Sequence, residues 1–336
     1  MKNFYLFLIA SVAIIYTSSC SKKNSPQPDP LQGISLRDTL TMYLGDATQL
    51  GIKTNPPSYD TTKFIWQSSD TTVVSVTKTG KLTAKKEGTS TIKLSNASST
   101  KTASCLVTVK DVLKIGLLAS YPFDNSAADV SGNGNNGEAS NVIAVANRFG
   151  EANSAVYFNG YNSLIKVNDN AALRLAHTSF AINTWVKLDQ YNYSYGSQVI
   201  DKKLPGEANG WNLSITGQSF YSTGQGALGI VALTEGSADY RNFSTIPVGL
   251  NNWHMITVVY DYNLHQLSFY MDGVFNTSSI GFASPNSAVS TDVYIGADNP
   301  FAGSDGYFLK GALDDLRLYD RALNASDVKR LYTVKH

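Results

Sequence analysis

Two cysteines in 336 residues are too few to staple a secreted domain with disulfides, so any fold must be held by its core. Charged residues make up only 16% of the chain and the net charge is +1. That balance gives no basic surface for nucleic acid or for an anionic membrane. The four histidines, His177, His254, His265 and His336, show no paired spacing, and zinc is not expected. No apolar run reaches the ~20 residues of a bilayer-spanning helix; the longest, residues 4–16, is about 13 residues long.

Against those absences stands 43% hydrophobic residues, ample for a core, in a chain long enough for two domains. Charge divides between them: ten Lys/Arg against six Asp/Glu in residues 31–111, but 14 against 19 in residues 112–336. The second half is mildly acidic and suits a metal cation better than a phosphate.

The first thirty residues read as an address. Lys2 precedes the apolar run, and Thr17, Ser18 and Ser19 lead to Cys20. Residues 1–20 resemble a bacterial lipoprotein signal, in which the Cys20 thiol would receive lipid, although Thr17 stands where leucine is usual. An ordinary secretory peptide or an uncleaved anchor are the rival readings. The resemblance, with Ser21 rather than aspartate after the cysteine, implies sorting to the outer membrane, on a periplasmic or an exposed face. The membrane would be met through the lipid alone. Residues 21–30 carry three prolines and form a linker.

Residues 31–111 alternate with period two between turns such as Gly45-Asp46, Thr79-Gly80 and Glu87-Gly88. About seven short strands fit a small β-sandwich. Trp66-Gln67-Ser68-Ser69-Asp70, Gly80-Lys81-Leu82-Thr83-Ala84 and Gly88-Thr89-Ser90-Thr91-Ile92 make the segment similar to the bacterial Ig-like group 2 family, which implies a spacer. Cys105, in a strand-like run, reads as a buried apolar side chain.

Residues 112–336 hold ten or more strand candidates, with Asp272-Gly273 as a tight hairpin turn. That number suits a two-sheet jelly roll. One short helix is expected near the end: Asn324 as N-cap, Asp327 in the first turn, Leu323 and Val328 as a staple, and Val328, Leu331 and Tyr332 on one face. Tyr121-Pro122-Phe123-Asp124, Asp129-Val130-Ser131-Gly132-Asn133-Gly134, Phe158-Asn159-Gly160, Trp185-Val186-Lys187, Phe269-Tyr270-Met271-Asp272-Gly273 and the run from Gly311 to Tyr319 follow in order. Together they resemble the laminin-G-like branch of the concanavalin A-like lectin/glucanase superfamily. The expected architecture is therefore all-β: a small Ig-like sandwich, then a concanavalin A-like jelly roll with a short C-terminal helix.

Asp124, Asp129, Asn133 and Asn135 crowd one loop with oxygen ligands of the kind a hard cation takes. Asp314 could complete the set if the first and last strands are neighbours. The resemblance implies a structural Ca²⁺ there; a plain turn cluster is the other reading. Alternation puts Asp314 and Asp315 on opposite faces of the last strand. For ligands, the candidates are Tyr191, Tyr193 and Tyr195, which share one face if extended, with Trp211 and Tyr221. Phe301 and Tyr307 flank another loop, and Trp185 and Trp253 read as core.

Glucanases of the superfamily carry Glu-x-Asp-x-x-Glu on one strand. Glu138, Glu151, Glu207 and Glu235 each stand alone, so catalysis is not expected. The expectation is a cell-envelope lipoprotein that binds a polysaccharide or glycoconjugate. The alternative is an adhesin or protein-binding module for a sibling lipoprotein or a host protein. No nucleic-acid partner is expected.

Overall fold

The computed structural model describes residues 31–193, 196–203, 210–224, 226–235, 241–285, 289–298 and 307–334. Two compact units part between Lys110 and Asp111.

In the first unit, Thr39–Tyr43, Thr102–Lys110, Gly88–Ser95 and Ile65–Ser68 form a four-stranded sheet in that order. Ala47–Gln49, Lys81–Ala84 and Val74–Val76 form a three-stranded one. The alternation seen in the sequence puts Met42, Val74, Leu82, Ile92, Cys105 and Val107 into the core between them. Cys105 is a free, buried thiol. Trp66 is only half-buried and closes the core from its edge. Gly80, at φ 83°, makes room for it: a Cβ there would lie 2.5 Å from the indole.

The second unit is a sandwich of an eight-stranded and a seven-stranded antiparallel sheet. The first runs Ile143–Val145, Ala155–Asn159, Lys310–Tyr319, Phe180–Leu188, His254–Asp261, Gln266–Met271, Val274–Ile280. Leu117–Tyr121 also pairs with Lys310–Tyr319. The second runs Gly137–Ser140, Leu164–Val167, Val293–Ile295, Gly196–Lys203, Gly210–Thr216, Ile230–Glu235, Arg241–Pro247. Phe158, Ile182, Val186, Leu213, Ile256, Phe269, Ile295 and Leu313 fill the space between the sheets. The Asp272-Gly273 turn has both residues at positive φ, 51° and 78°. That is the type I′ geometry whose twist matches the flanking strands.

The strand Gly196–Lys203 escapes sequence reading for two reasons. A register shift between Gln198 and Ile200 breaks the period of two, so Val199 and Ile200 both enter the core. Lys202 is buried outright, its ammonium donating to Asp169 Oδ1 and to the Thr291 carbonyl, each at 2.6 Å.

A second irregularity sits in the last strand. Asp314 faces Trp185 and Arg317 faces Asn183, so the last strand carries one extra residue there, and Asp315 adopts φ 51°. The bulge turns both carboxylates to the same side, against the alternation expected for them. Both reach Nη1 of Arg148, at 2.5 and 2.7 Å. Arg148 in turn lies between the rings of Phe149 and Trp185, 4.4 and 4.7 Å from their centroids.

The outer side of the eight-stranded sheet is covered by the C-terminal helix Ala325–Thr333. Asn324 accepts from the Asp327 N–H as its N-cap, and Leu323, Val328 and Leu331 are buried against Ala181, Trp185, Met255 and Val259. Tyr332 stacks on Trp185 at 5.4 Å. Trp185 is thus core, but of this outer layer, where Trp253 is half-buried. Leu331→Ala is expected to cost about 2–5 kcal/mol. Urea unfolding measures the loss, and a red-shifted emission from Trp185 in the folded variant would show that the helix had loosened.

Candidate functional site

One end of the sandwich gathers exposed aromatic rings. There the eight-stranded sheet ends in Asn159, paired with Lys310, and in Leu188, paired with Gly311. The other sheet ends at the pair Gly196 and Thr216. The connections leaving these pairs carry Tyr161, Tyr193 and Tyr221, which are 77%, 70% and 61% exposed. Each is fixed by its backbone. Asn159 Oδ1 accepts from the N–H groups of Tyr161 and Asn162, which holds Tyr161 at a turn tip. The Tyr193 carbonyl accepts from Ser219 N–H at 3.3 Å and from its hydroxyl at 2.7 Å. That ties Tyr193 to the one-turn helix Gln218–Ser222, which carries Tyr221.

Polar groups lie on the same connections and strand ends. The Asp189 N–H donates to the Lys310 carbonyl, and Asp189 Oδ2 accepts from the Tyr157 hydroxyl at 2.9 Å. Burial first, and this hydrogen bond second, raise the Tyr157 pKa, so it stays a donor. Lys310 donates to Gln190 Oε1 at 3.3 Å, and the Asn192 amide to the Phe308 carbonyl at 3.0 Å. Flat rings flanked by a carboxylate, an amide and an ammonium offer stacking faces with hydrogen-bonding partners beside them.

The sequence candidates divide on this frame. Tyr193 and Tyr221 are brought together at the rim. Tyr191 is half-buried: its hydroxyl donates to the Val248 carbonyl at 2.8 Å and its ring lies on Gly229, so it braces the rim from below. Trp211 is a correction. It is 0% exposed, its indole N–H donates to the Leu173 carbonyl, and no ligand can stack on it. Its strand lies inside the seven-stranded sheet rather than at a loop. Tyr195, Phe301 and Cys20 lie outside the described residues. Tyr161, Asp189, Gln190 and Lys310 were not found from the sequence. For Tyr161 a signal existed: a large aromatic inside Asn159-Gly160-Tyr161-Asn162, a turn with no alternation to bury it.

The residues expected to hold calcium fall into two groups. Asp129 is a turn hub. Its Oδ1 accepts from the N–H groups of Ser120 and Ser131, and its Oδ2 from the Ser131 hydroxyl and the Asn135 N–H. Asn133 and Asn135 point their amide N–H groups at the carbonyls of Leu117 and Leu118, and Asn135 Oδ1 accepts from Asn170. A carboxylate with four donors has no lone pair for a cation. Asp124 and Asp314 line one small cleft with Glu151, Asp315 and Arg148. There the Arg148 guanidinium already supplies the positive charge. These residues do not fit a calcium ion, and among the described residues no group of three or more His, Cys, Asp or Glu is placed to hold a metal.

Burial first, and Asp315 second, push the Asp314 pKa up to about 7. A carboxyl raised in the folded state keeps a proton that the unfolded chain releases above about pH 4. Its contribution therefore falls as pH rises from about 4 to about 7. Arg148→Met leaves the two carboxylates facing each other without their cation. The expected loss is about 3–5 kcal/mol at pH 7.5 and smaller at pH 5, where protonation relieves the repulsion. Urea unfolding at the two pH values measures it; an equal loss at both would contradict this account of the pair.

Residues 158–329 match the model of the concanavalin A-like lectin/glucanases superfamily. The chain belongs to this superfamily. Residues 30–107 match the bacterial Ig-like domain, group 2, so the first unit is an Ig-like domain and the second a concanavalin A-like sandwich. Comparison with curated proteins finds no match. Among solved structures, the sandwich is similar to domain 4 of a GH43 extracellular arabinanase from Geobacillus stearothermophilus, in complex with arabinotriose. Identity is 21%, coverage is 65% of this chain and 98% of that one, and the TM-score is 0.50. The binding domain of Paraclostridial Mosquitocidal Protein 1 matches at 19% identity and a TM-score of 0.49, over 66% of this chain and 52% of that one. The binding domain of botulinum neurotoxin serotype G matches at 21% and 0.48, over 64% and 50%.

Proposed function

We propose that the concanavalin A-like domain binds a carbohydrate chain across the Tyr161–Tyr193–Tyr221 rim without cleaving it, and that the Ig-like domain is its spacer. The observation that carries this reading is the exposure of three tyrosines on backbone-braced turns at one end of the sandwich. Exposed aromatic rings gathered at one end of a domain offer a binding surface. Aromatic anchors lose little side-chain entropy on binding.

Non-catalytic binding is the better reading because retaining hydrolysis needs two carboxylates about 5 Å apart with a sugar between them. Asp314 and Asp315, which do meet, are buried with Arg148 between them. The rim acid Asp189 is held by Tyr157. The reading extends to the N-terminus: lipid on Cys20 would anchor the protein in the outer membrane, with residues 21–30 as the flexible link. Among the described residues no helix is long and apolar enough to cross a membrane.

A polysaccharide array followed by titration calorimetry tests the site, with arabino-oligosaccharides in the first panel because the similar domain 4 was solved with one. Tyr161→Ala, Tyr193→Ala and Tyr221→Ala should each weaken binding by about tenfold or more. Phe275→Ala, exposed on the Val274–Ile280 strand, should leave it unchanged. Unchanged affinity in all three tyrosine variants would remove the rim as the site. A clean array with binding to a protein partner would favour an adhesin.

A further inference from the structure

Two opposite charges stand side by side at the start of the last strand and do not pair. Leu188 lies opposite Gly311, and the next residue, Asp189, donates its N–H to the Lys310 carbonyl at 3.1 Å. Leu188, Leu309 and Leu313 point into the core, so Asp189 and Lys310 both project from the outer side of the eight-stranded sheet. Opposite charges on neighbouring strands ordinarily attract, with Cβ atoms about 5 Å apart. Here neither is in an ion pair. Among the described residues no carboxylate lies within 4.0 Å of the Lys310 ammonium, and no cation within 4.0 Å of the Asp189 carboxylate.

Neutral partners hold the two charges apart. Tyr157 lies on the strand Ala155–Asn159, opposite Ala312, and its neighbours Val156 and Phe158 face the core. Its hydroxyl reaches across the last strand to Asp189 Oδ2 at 2.9 Å. The Lys310 ammonium turns instead to Gln190 Oε1 at 3.3 Å. The stem of Lys310 lies against Gly160, where a Cβ would come within 2.8 Å of it. Asp189 is exposed, and its Oδ1 keeps its lone pairs; the ammonium keeps N–H donors to spare. A free acceptor and free donors thus stand beside the turn that bears Tyr161.

We propose that Asp189 and Lys310 set the specificity of the tyrosine rim, selecting neutral sugars with unsubstituted neighbouring hydroxyls. The assignment rests on glycan binding at the rim. A hydroxyl both donates and accepts. Of two neighbouring sugar hydroxyls, one donates to Asp189 Oδ1 while the other accepts from the Lys310 ammonium, with the ring against an exposed tyrosine. Such charge-assisted hydrogen bonds are about twice as strong as neutral ones. A site built to hydrogen-bond a hydroxyl rejects an analogue without it, because its own polar groups are then left unpaired. An acidic sugar meets like charge at Asp189, and an amino sugar meets it at Lys310. Tyr157 is a positioning residue: by holding Asp189 it keeps the two charges from closing on each other without a ligand.

A polysaccharide array that includes linear arabinan, xylan and galactan, their O-acetylated forms, polygalacturonate and chitosan tests this on the full chain. Binding is expected to unsubstituted neutral polysaccharides, lost on acetylation and absent from polygalacturonate and chitosan. In titration calorimetry with a bound neutral polysaccharide, Asp189→Asn and Lys310→Met should each weaken binding about tenfold or more, with melting temperatures near that of the wild type. Tyr157→Phe should weaken it too, yet add nothing in the Lys310→Met background, where Asp189 has no cation to close on. A purely structural role for Tyr157 would add its loss in both backgrounds. Wild-type affinity in both Asp189→Asn and Lys310→Met, with binding still lost in the Tyr161, Tyr193 and Tyr221 variants, overturns the proposal and spares the rim. Preference for polygalacturonate or chitosan overturns it as well. An array on which nothing binds removes the rim as a glycan site and this proposal with it.

Discussion

The second domain depends on its last strand. Lys310–Tyr319 pairs with Ala155–Asn159 and Leu117–Tyr121 along one edge and with Phe180–Leu188 along the other. Until the C-terminus is in place, the first strands of the domain have no partner in the eight-stranded sheet's centre. Closing so long a loop costs entropy before any contact repays it. The bulge at Asp314 and Asp315 then does two things at once. It lets the strand serve different partners at its two ends, and it turns two acids toward Arg148, on the side where Tyr332 of the C-terminal helix stacks on Trp185.

The same strand also sets the tyrosine rim. Lys310 at its start accepts from Asp189 through its carbonyl and donates to Gln190 through its ammonium. Gly160 lies so close to Lys310 that a Cβ there would approach its side chain to 2.8 Å. The turn bearing Tyr161 and the connection bearing Tyr193 therefore leave from either side of one residue. A rigid sheet end presenting aromatic side chains on short braced turns is a preorganised surface, which lowers the ordering cost of binding.

Much of the fold was legible in the sequence because local rules and the global fold agree there. Asn324 caps the helix as its spacing with Asp327 foretold, and Asp272-Gly273 makes the hairpin that its two positive φ angles require. The apolar, β-branched and aromatic runs Phe180–Leu188 and His254–Asp261 are strands buried on both faces. What escaped was irregular. Bulges at residues 199–200 and 314–315 shift the side-chain period by one, which hid the strand carrying Asp201 and reversed the expectation for Asp315. The turn Asp129–Asn136 reads like a cation loop because Asn, Asp and Gly serve both purposes. Its donors and acceptors satisfy one another only once Leu117–Tyr121 lies alongside. Trp211 and Tyr193 look alike in sequence; only the position of their segments in the sandwich makes one core and the other surface.

Glycan binding at the rim is the central claim, and hydroxyl-radical footprinting tests it most directly, since it reads side-chain exposure across the whole chain in one experiment. With a polysaccharide identified by the array at saturating concentration, Tyr161, Tyr193 and Tyr221 should become protected, while Tyr191, Phe275 and the Ig-like domain keep their unliganded reactivity. Protection confined to other surfaces, with the three rim tyrosines as reactive as before, would contradict the account.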